Sequence, residues 1–188
     1  MKKEIITIAG GIGSGKSSTA DNVARVLGFG RFSSGDFMRQ AAVDLGMTLN
    51  ELSIQAETDK SVDEKIDEQV RKAGEMTRVV IDSRLAFHWI PESFKIYLDL
   101  PPEISKSRIL NNLKENKLRR ESEESLTEEE IFQKITRRLE SEKKRYKEMY
   151  NLDHTDKNNF DLVIDTDKNN LNQVVNIIVE AYKKWLEQ

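Results

Sequence analysis

Eight consecutive residues, Gly10-Gly-Ile-Gly-Ser-Gly-Lys-Ser17, bring together the parts needed to hold a polyphosphate. The glycines let the backbone turn tightly, so that successive N–H groups point inward at phosphate oxygens. Lys16 is placed to reach the β- and γ-phosphates of a nucleoside triphosphate, and the Ser17 hydroxyl to ligate Mg²⁺. Gly10, Gly11, Ile12, Gly13, Ser14, Gly15 and Ser18 complete the expected donor-binding set. The spacing fits G-x-x-x-x-G-K-[ST]. An apolar run over residues 4–9 precedes it, and Ala20, Val23, Ala24 and Leu27 recur at helical spacing after it. Strand, glycine loop and helix is the order the motif requires, and the helix adds its positive N-terminal end.

A phosphate cradle alone serves a kinase, an ATPase or a GTPase switch. Asp82 ends the apolar run Val79-Val-Ile81. A carboxylate at a strand end beside such a loop organises the Mg²⁺ ion, with a turn or helix cap as its ordinary alternative. Arginines also gather at element ends. Arg39 follows Phe32-Ser-Ser-Gly-Asp36, Arg84 follows Ile81-Asp-Ser83, and Arg137, Arg138 and Arg145 lie in a highly charged stretch. Guanidinium forks fit phosphate oxygens bidentately, whereas Glu–Arg pairing along a helix is the plain alternative for the last three. A guanine reader of the form Asn-Lys-x-Asp is absent, since Asn116-Lys-Leu-Arg119 carries arginine in the decisive place. No general base is evident and none is needed: a phosphate monoester has a second pKa of about 6 and is largely a dianion at neutral pH.

The elements that must position these groups alternate between strand and helix, which argues an α/β fold with a parallel sheet covered on both faces. Strands are expected over residues 4–9, 28–32, 78–82, 94–100 and 160–165, and a closing helix over 171–186. Helices fill 35–73, with Thr48-x-x-Glu51 and Ser61-x-x-Glu64 as capping boxes and Gly74 as a stop. Pro101-Pro102 opens the helix after the fourth strand. Residues 114–147 are crowded with Lys, Arg and Glu. They read as a charged flap, with a helix capped by Thr127-x-x-Glu130 and striped by Ile131, Ile135 and Leu139.

The chain has 188 residues, enough for one domain with inserted lobes, and a net charge of −3, which draws it to no nucleic acid. With no cysteine and only His88 and His154, disulfides, thiol catalysis and histidine-rich metal sites are excluded. No apolar run approaches the roughly 20 residues of a membrane span, and no secretion signal precedes the first strand, so a cytoplasmic protein is expected.

Taken in order, Gly10–Ser17, Phe32-Ser-Ser-Gly-Asp-Phe-Met-Arg39, Val80-Ile-Asp-Ser-Arg-Leu-Ala86, Glu142-Lys-Lys-Arg-Tyr-Lys-Glu-Met-Tyr150 and Phe160-Asp-Leu-Val-Ile-Asp-Thr166 resemble the archaeal-type cytidylate kinases. The resemblance spans nearly the whole chain. It implies a P-loop NTPase three-layer sandwich with a five-stranded parallel sheet, an NMP-binding lobe over about 34–73 and a lid over about 114–147. It implies a monomer that transfers the ATP γ-phosphoryl group to CMP or dCMP with Mg²⁺. Carried over by motif, Lys16 and Ser17 hold the donor phosphates and the metal, with Asp82. Ser34, Gly35, Asp36 and Arg39 line the acceptor site, and Arg84 grips the acceptor phosphate. Arg137 or Arg138 swings in with Arg145, and Arg108 flanks the donor adenine. Asp153 matches an element near the lid hinge. Ser34, Ser83 and Asn151 depart from the family pattern, which has alanine, glycine and glycine there. Asp59, Asp63 and Arg84 are candidate base readers by position, with Asp63 equally suited to be a first-turn helix acid. Two other readings remain: a kinase of another small acceptor (UMP, AMP or a non-nucleotide), and a non-catalytic P-loop nucleotide-binding regulator.

Overall fold

The computed structural model describes residues 3–101, 104–105, 107–108 and 127–188, without the side chains of 128, 131, 134 and 135. Five strands form one parallel sheet in the order β2-β3-β1-β4-β5: β1 (Ile5–Gly10), β2 (Gly30–Ser33), β3 (Val79–Asp82), β4 (Phe94–Asp99) and β5 (Leu162–Asp165). Parallel pairing forces every connection to cross over, and the crossovers are helical. They include α1 (Lys16–Leu27), α2 (Ser34–Asp44), α3 (Leu49–Gln55), α4 (Ser61–Ala73), α5 (Ala86–Trp89) and α6 (Glu128–Tyr150), and α7 (Leu171–Glu187) follows the last strand.

Helices on both faces explain the continuous apolar strands. Every residue of β1 and of β3 is buried. On one face Ile6, Ile8, Ile96 and Leu98 pack under Ala20 and Val23 of α1 and under Val174, Ile178 and Tyr182 of α7. On the other, Ile5, Val79 and Ile81 meet Val70 and Ala73 of α4, with Ala86 and Ile90. A third cluster, Met38, Ala42, Leu49 and Leu52, ties α2 to α3. This is the expected three-layer sandwich.

Several boundaries differ from the sequence expectation. The second strand begins at Gly30, because Gly28 is spent on ending α1 in the left-handed conformation, φ 65°. The capping box at Thr48 and Glu51 forms, as does that at Thr127 and Glu130. The one at Ser61 and Glu64 does not: Ser61 is already inside α4, and its amide donates to the Asp59 carboxylate at 3.0 Å. Gly74 does end α4, yet with an ordinary φ of −71°; glycine fits there because a Cβ would lie 2.7 Å from Ile90 Cγ1. Asn151 ends α6 with φ 52°, the left-handed geometry that asparagine tolerates in place of glycine.

Of the charged flap, residues 114–126 lie outside the described residues, as do Pro102 and the side chains of Ile131 and Ile135. The rest is α6, a single helix of 23 residues with Leu139 half-buried. No helix among the described residues is long and apolar enough to cross a membrane.

Candidate active site

β1 lies between β3 and β4, so its C-terminal end delivers the glycine loop to the middle of the sheet edge. Gly10 has φ 147° and passes so close to the Leu98 carbonyl that a Cβ would collide with it. Gly15 has φ 83° and serves as the N-cap of α1, leaving the helix entry lined by backbone rather than by a capping side chain. Lys16 arches back over the loop. Its Nζ donates to the carbonyls of Gly10 at 3.0 Å and Gly11 at 2.7 Å. Ser14 Oγ donates to Gly11 O at 2.9 Å, and Ser105 Oγ donates to Ile12 O at 2.7 Å, which anchors the loop to the segment after β4. Gly13 adds a further positive φ, and Ser18 is exposed in the first turn of α1.

Register brings the next group into place. Asp82 pairs with Ile8 on one side and with Ser33 on the other, at the C-terminal ends of three adjacent strands. Its buried carboxylate accepts from Ser17 Oγ at 2.7 Å. A hydroxyl and a carboxylate are hard oxygen donors suited to Mg²⁺, which takes most of its remaining ligands from phosphate and water. The described residues hold no cluster of three or more His, Asp or Glu that could hold a metal by itself, in keeping with that sparse donor set.

Arg31 also belongs here, although the sequence reading passed over it. From β2 it reaches Asp21 at 2.8 Å, Asp36 at 2.9 Å and Asp82 at 3.8 Å, tying α1, α2 and β3 together. Its signal was its place two residues before the end of a strand that runs beside Asp82. Ser33 Oγ caps α2 by accepting from the Asp36 amide at 3.2 Å. Asp36 then pairs with Arg39 as well. Burial works to raise the Asp36 pKa, but the hydrogen bonds and charges of Arg39 and Arg31 outweigh it and hold the carboxyl below its ordinary range. Ser34 Oγ donates to the Asp82 carbonyl at 3.4 Å, and Gly35 lies against the Arg39 guanidinium.

Across the cleft, Glu142 of α6 stands among three arginines, Arg138 and Arg145 of the same helix and Arg84 just after β3. Glu142 is 3% exposed. Its Oε2 lies 2.9 Å from Arg84 Nη1, and its Oε1 lies 3.7 Å from Arg138 Nε. Burial would raise the Glu142 pKa, but Arg84, Arg138 and Arg145 drive it down; burial would lower that of Arg84, and Glu142 drives it up. Both therefore stay charged. Arg145 is committed elsewhere: its Nε and Nη2 donate to the two oxygens of Asp63 at 2.6 and 3.3 Å, and its Nη1 donates to Ser141 Oγ at 2.6 Å. Asp63 is thus a first-turn acid of α4 and the ion-pair partner of Arg145. Arg137 is exposed, so Arg138 and not Arg137 stands with Arg84. One turn along α4, the buried Asp67 accepts from Tyr150 OH at 2.6 Å, a second tie between α4 and α6.

His154 is buried edge-on to Tyr146. Burial, helped by the Arg84 charge, lowers its pKa to about 4, so it is neutral at physiological pH. His88 is exposed, whereas Trp89 packs beside the second cluster under the Arg71 guanidinium, 3.7 Å from its ring centre. Asp153 accepts from the Thr155 amide at 2.9 Å, which shapes the turn after α6.

On the far side of the loop, Arg108 Nη2 donates to Thr166 O at 2.8 Å. Together they border a cavity of about 140 Å³ that is also lined by Ser14, Thr19, Asn169 and Leu171. The arrangement has two ends: a loop that can hold a polyphosphate, beside a small cavity, and a cluster of guanidiniums that can neutralise a second phosphate.

Comparison with known proteins agrees with this geometry. A family model described as an AAA domain matches residues 9–128. A cytidylate kinase of Methanocella arvoryzae is 35% identical over 94% of this chain and 95% of its own length. An S-adenosylmethionine-dependent nucleotide dehydratase of Lacinutrix mariniflava is 34% identical over 97% of this chain, which spans only 36% of that protein. The shikimate kinase of Bacteroides thetaiotaomicron shares the fold, with a TM-score of 0.63, 16% identity, and coverage of 95% of this chain and 98% of that one. Near-complete coverage by the archaeal relative, together with a glycine loop facing an arginine cluster, shows that the chain belongs to the cytidylate kinase family, a family of ATP-dependent nucleoside monophosphate kinases.

Proposed function

We propose that this kinase transfers the γ-phosphoryl group of ATP to CMP or dCMP, giving ADP and CDP or dCDP. The observation that carries the reading is the convergence of Arg84 and Arg138 on Glu142, reached from β3 and α6, at the sheet edge that also presents Lys16, Ser17 and Asp82. A protein that merely held a nucleotide would have no use for cations beyond the triphosphate. The names of the archaeal relatives support the cytosine nucleotide as acceptor.

Gly10–Ser17 wraps the donor phosphates, with the adenine in the cavity beside Arg108 and Thr166. Lys16 exchanges its loop carbonyls for the β- and γ-phosphate oxygens. Ser17 and Asp82 would hold Mg²⁺, which would supply positive charge to offset that of the donor phosphates. An oxygen of the CMP phosphate attacks the γ-phosphorus, the bond to the β-bridging oxygen breaks, and ADP leaves. The attacking dianion needs no base, so Arg39, Arg84 and Arg138 act by placing it and offsetting its charge. Ser34, Gly35 and Asp36 line the acceptor's entry. Residues 34–73 form the acceptor lobe and 114–147 the lid that excludes water, in a cytoplasmic monomer. Arg145 and Asp63 brace the lid helix against α4.

The test is a panel of CMP, dCMP, UMP, AMP and GMP with ATP and Mg²⁺. CMP and dCMP should give the highest kcat/KM. A preference for AMP or UMP would move the acceptor, and equal ATP turnover without any monophosphate would end the kinase reading.

A further inference from the structure

Resting on that reading of the site, we infer that Glu142 is a positioning residue that sets Arg84 and Arg138 side by side so that they can grip the acceptor's phosphate as one clamp. Glu142 is deeply buried and makes no contact with the glycine loop among the interactions described. Its two oxygens instead divide between two arginines from different elements, Arg84 just after β3 and Arg138 one turn earlier on α6. An acid so placed overcomes the repulsion between the guanidiniums.

The manner of contact leaves Arg84 with donors to spare. The closest approach is from Nη1 to Glu142 Oε2 at 2.9 Å, and that oxygen meets it as an ion pair without hydrogen-bond alignment. The Arg84 Nε is buried and has no hydrogen-bond partner among the described residues. The Nε edge is one of those a guanidinium offers to a carboxylate or phosphate in a two-bond fork. A buried donor without a partner is costly unless a ligand completes it. A phosphate monoester supplies the required oxygens. Arg145 offers a contrast within the same helix: its Nε, Nη1 and Nη2 are all engaged by Asp63 and Ser141. The free edge therefore belongs to the arginine that Glu142 orients.

Glu142→Gln keeps the shape and removes the charge. The expected result is a KM for CMP raised about tenfold or more, with the KM for ATP within about twofold of the parent. Glu142→Asp keeps the charge but draws it back by one methylene, and should recover part of the loss. Both are compared with the parent by thermal melting. Should Glu142→Gln not fold, Glu142→Asp carries the test, with a smaller rise in the CMP KM alone. An unchanged CMP KM, a lowered one, or equal rises for CMP and ATP would overturn the role. Because the parent enzyme is assayed in parallel, absence of CMP-dependent turnover in the parent would refute the proposed function, whereas an active parent with an unaffected variant refutes only the clamp.

Discussion

In the glycine loop, Lys16 bonds to the main-chain carbonyls of Gly10 and Gly11, whereas across the cleft Arg84 faces Glu142 and Arg145 binds Asp63. The glycine loop is made of backbone within one short segment, so its shape follows from local conformation. The proposed acceptor end is made of side chains brought from β2, β3, α2, α4 and α6. Arg145 and Asp63 alone are 82 residues apart. Charge is handled differently too. One lysine leaves neutral carbonyls to meet phosphate, while the arginines stand beside carboxylates that hold them in place.

That contrast can be broken most sharply at Lys16. Lys16→Ala should lower kcat by about 10³-fold or more, roughly 4 kcal/mol of transition-state stabilisation, while thermal melting shows the fold retained. A kcat near the parent value would remove the donor role. At the acceptor end, Arg84→Ala should cost about 3 kcal/mol in kcat/KM for CMP while ATP affinity, measured by calorimetry, stays put. It should also lower the melting temperature, because it takes from the buried Glu142 its nearer ion-pair partner and leaves Arg138 at 3.7 Å. A mutation that harmed ATP binding equally would erase the distinction between the two ends.

The smallest expected effect concerns pH and the acceptor side alone. His154 has a folded pKa of about 4 against an ordinary value of 6.5. The unfolded chain therefore binds the proton first as pH falls, and folding loses stability from about pH 6.5 down to about pH 4, by about 3 kcal/mol in all. Above that window the residue is neutral in both states and contributes nothing. Thermal melts of His154→Gln should show a shallower slope than the parent between these pH values. Identical slopes would show that the imidazole is not the group being titrated.

The glycine loop was legible in the sequence because its parts are contiguous, and the structure forms the strand, turn and helix that its spacing requires. The sheet was legible as well, through apolar runs that only a doubly covered parallel strand sustains. What went astray was local or charged. Gly28 reads as a strand start, yet a helix ahead of it needs a left-handed end. Ser61 reads as a cap, yet Asp59 has already taken its amide. The Lys-, Arg- and Glu-rich stretch reads as a charged flap, with nothing in it to show that Arg138, Glu142 and Arg145, which recur at helical spacing, form one largely buried stripe. Apolar residues announce a buried stripe; charged ones announce it only when their partners on another element are known. The partners here, Arg84 and Asp63, lie too far away in sequence for spacing to reveal them.

The account turns on the two ends acting as one clamp, and the most direct measurement is ADP release by the parent enzyme with MgATP, with and without CMP. ADP should form at a rate that depends on CMP and in equal amount to CDP, with little released when CMP is left out. ADP released at the same rate in both cases, with no CDP formed, would contradict it.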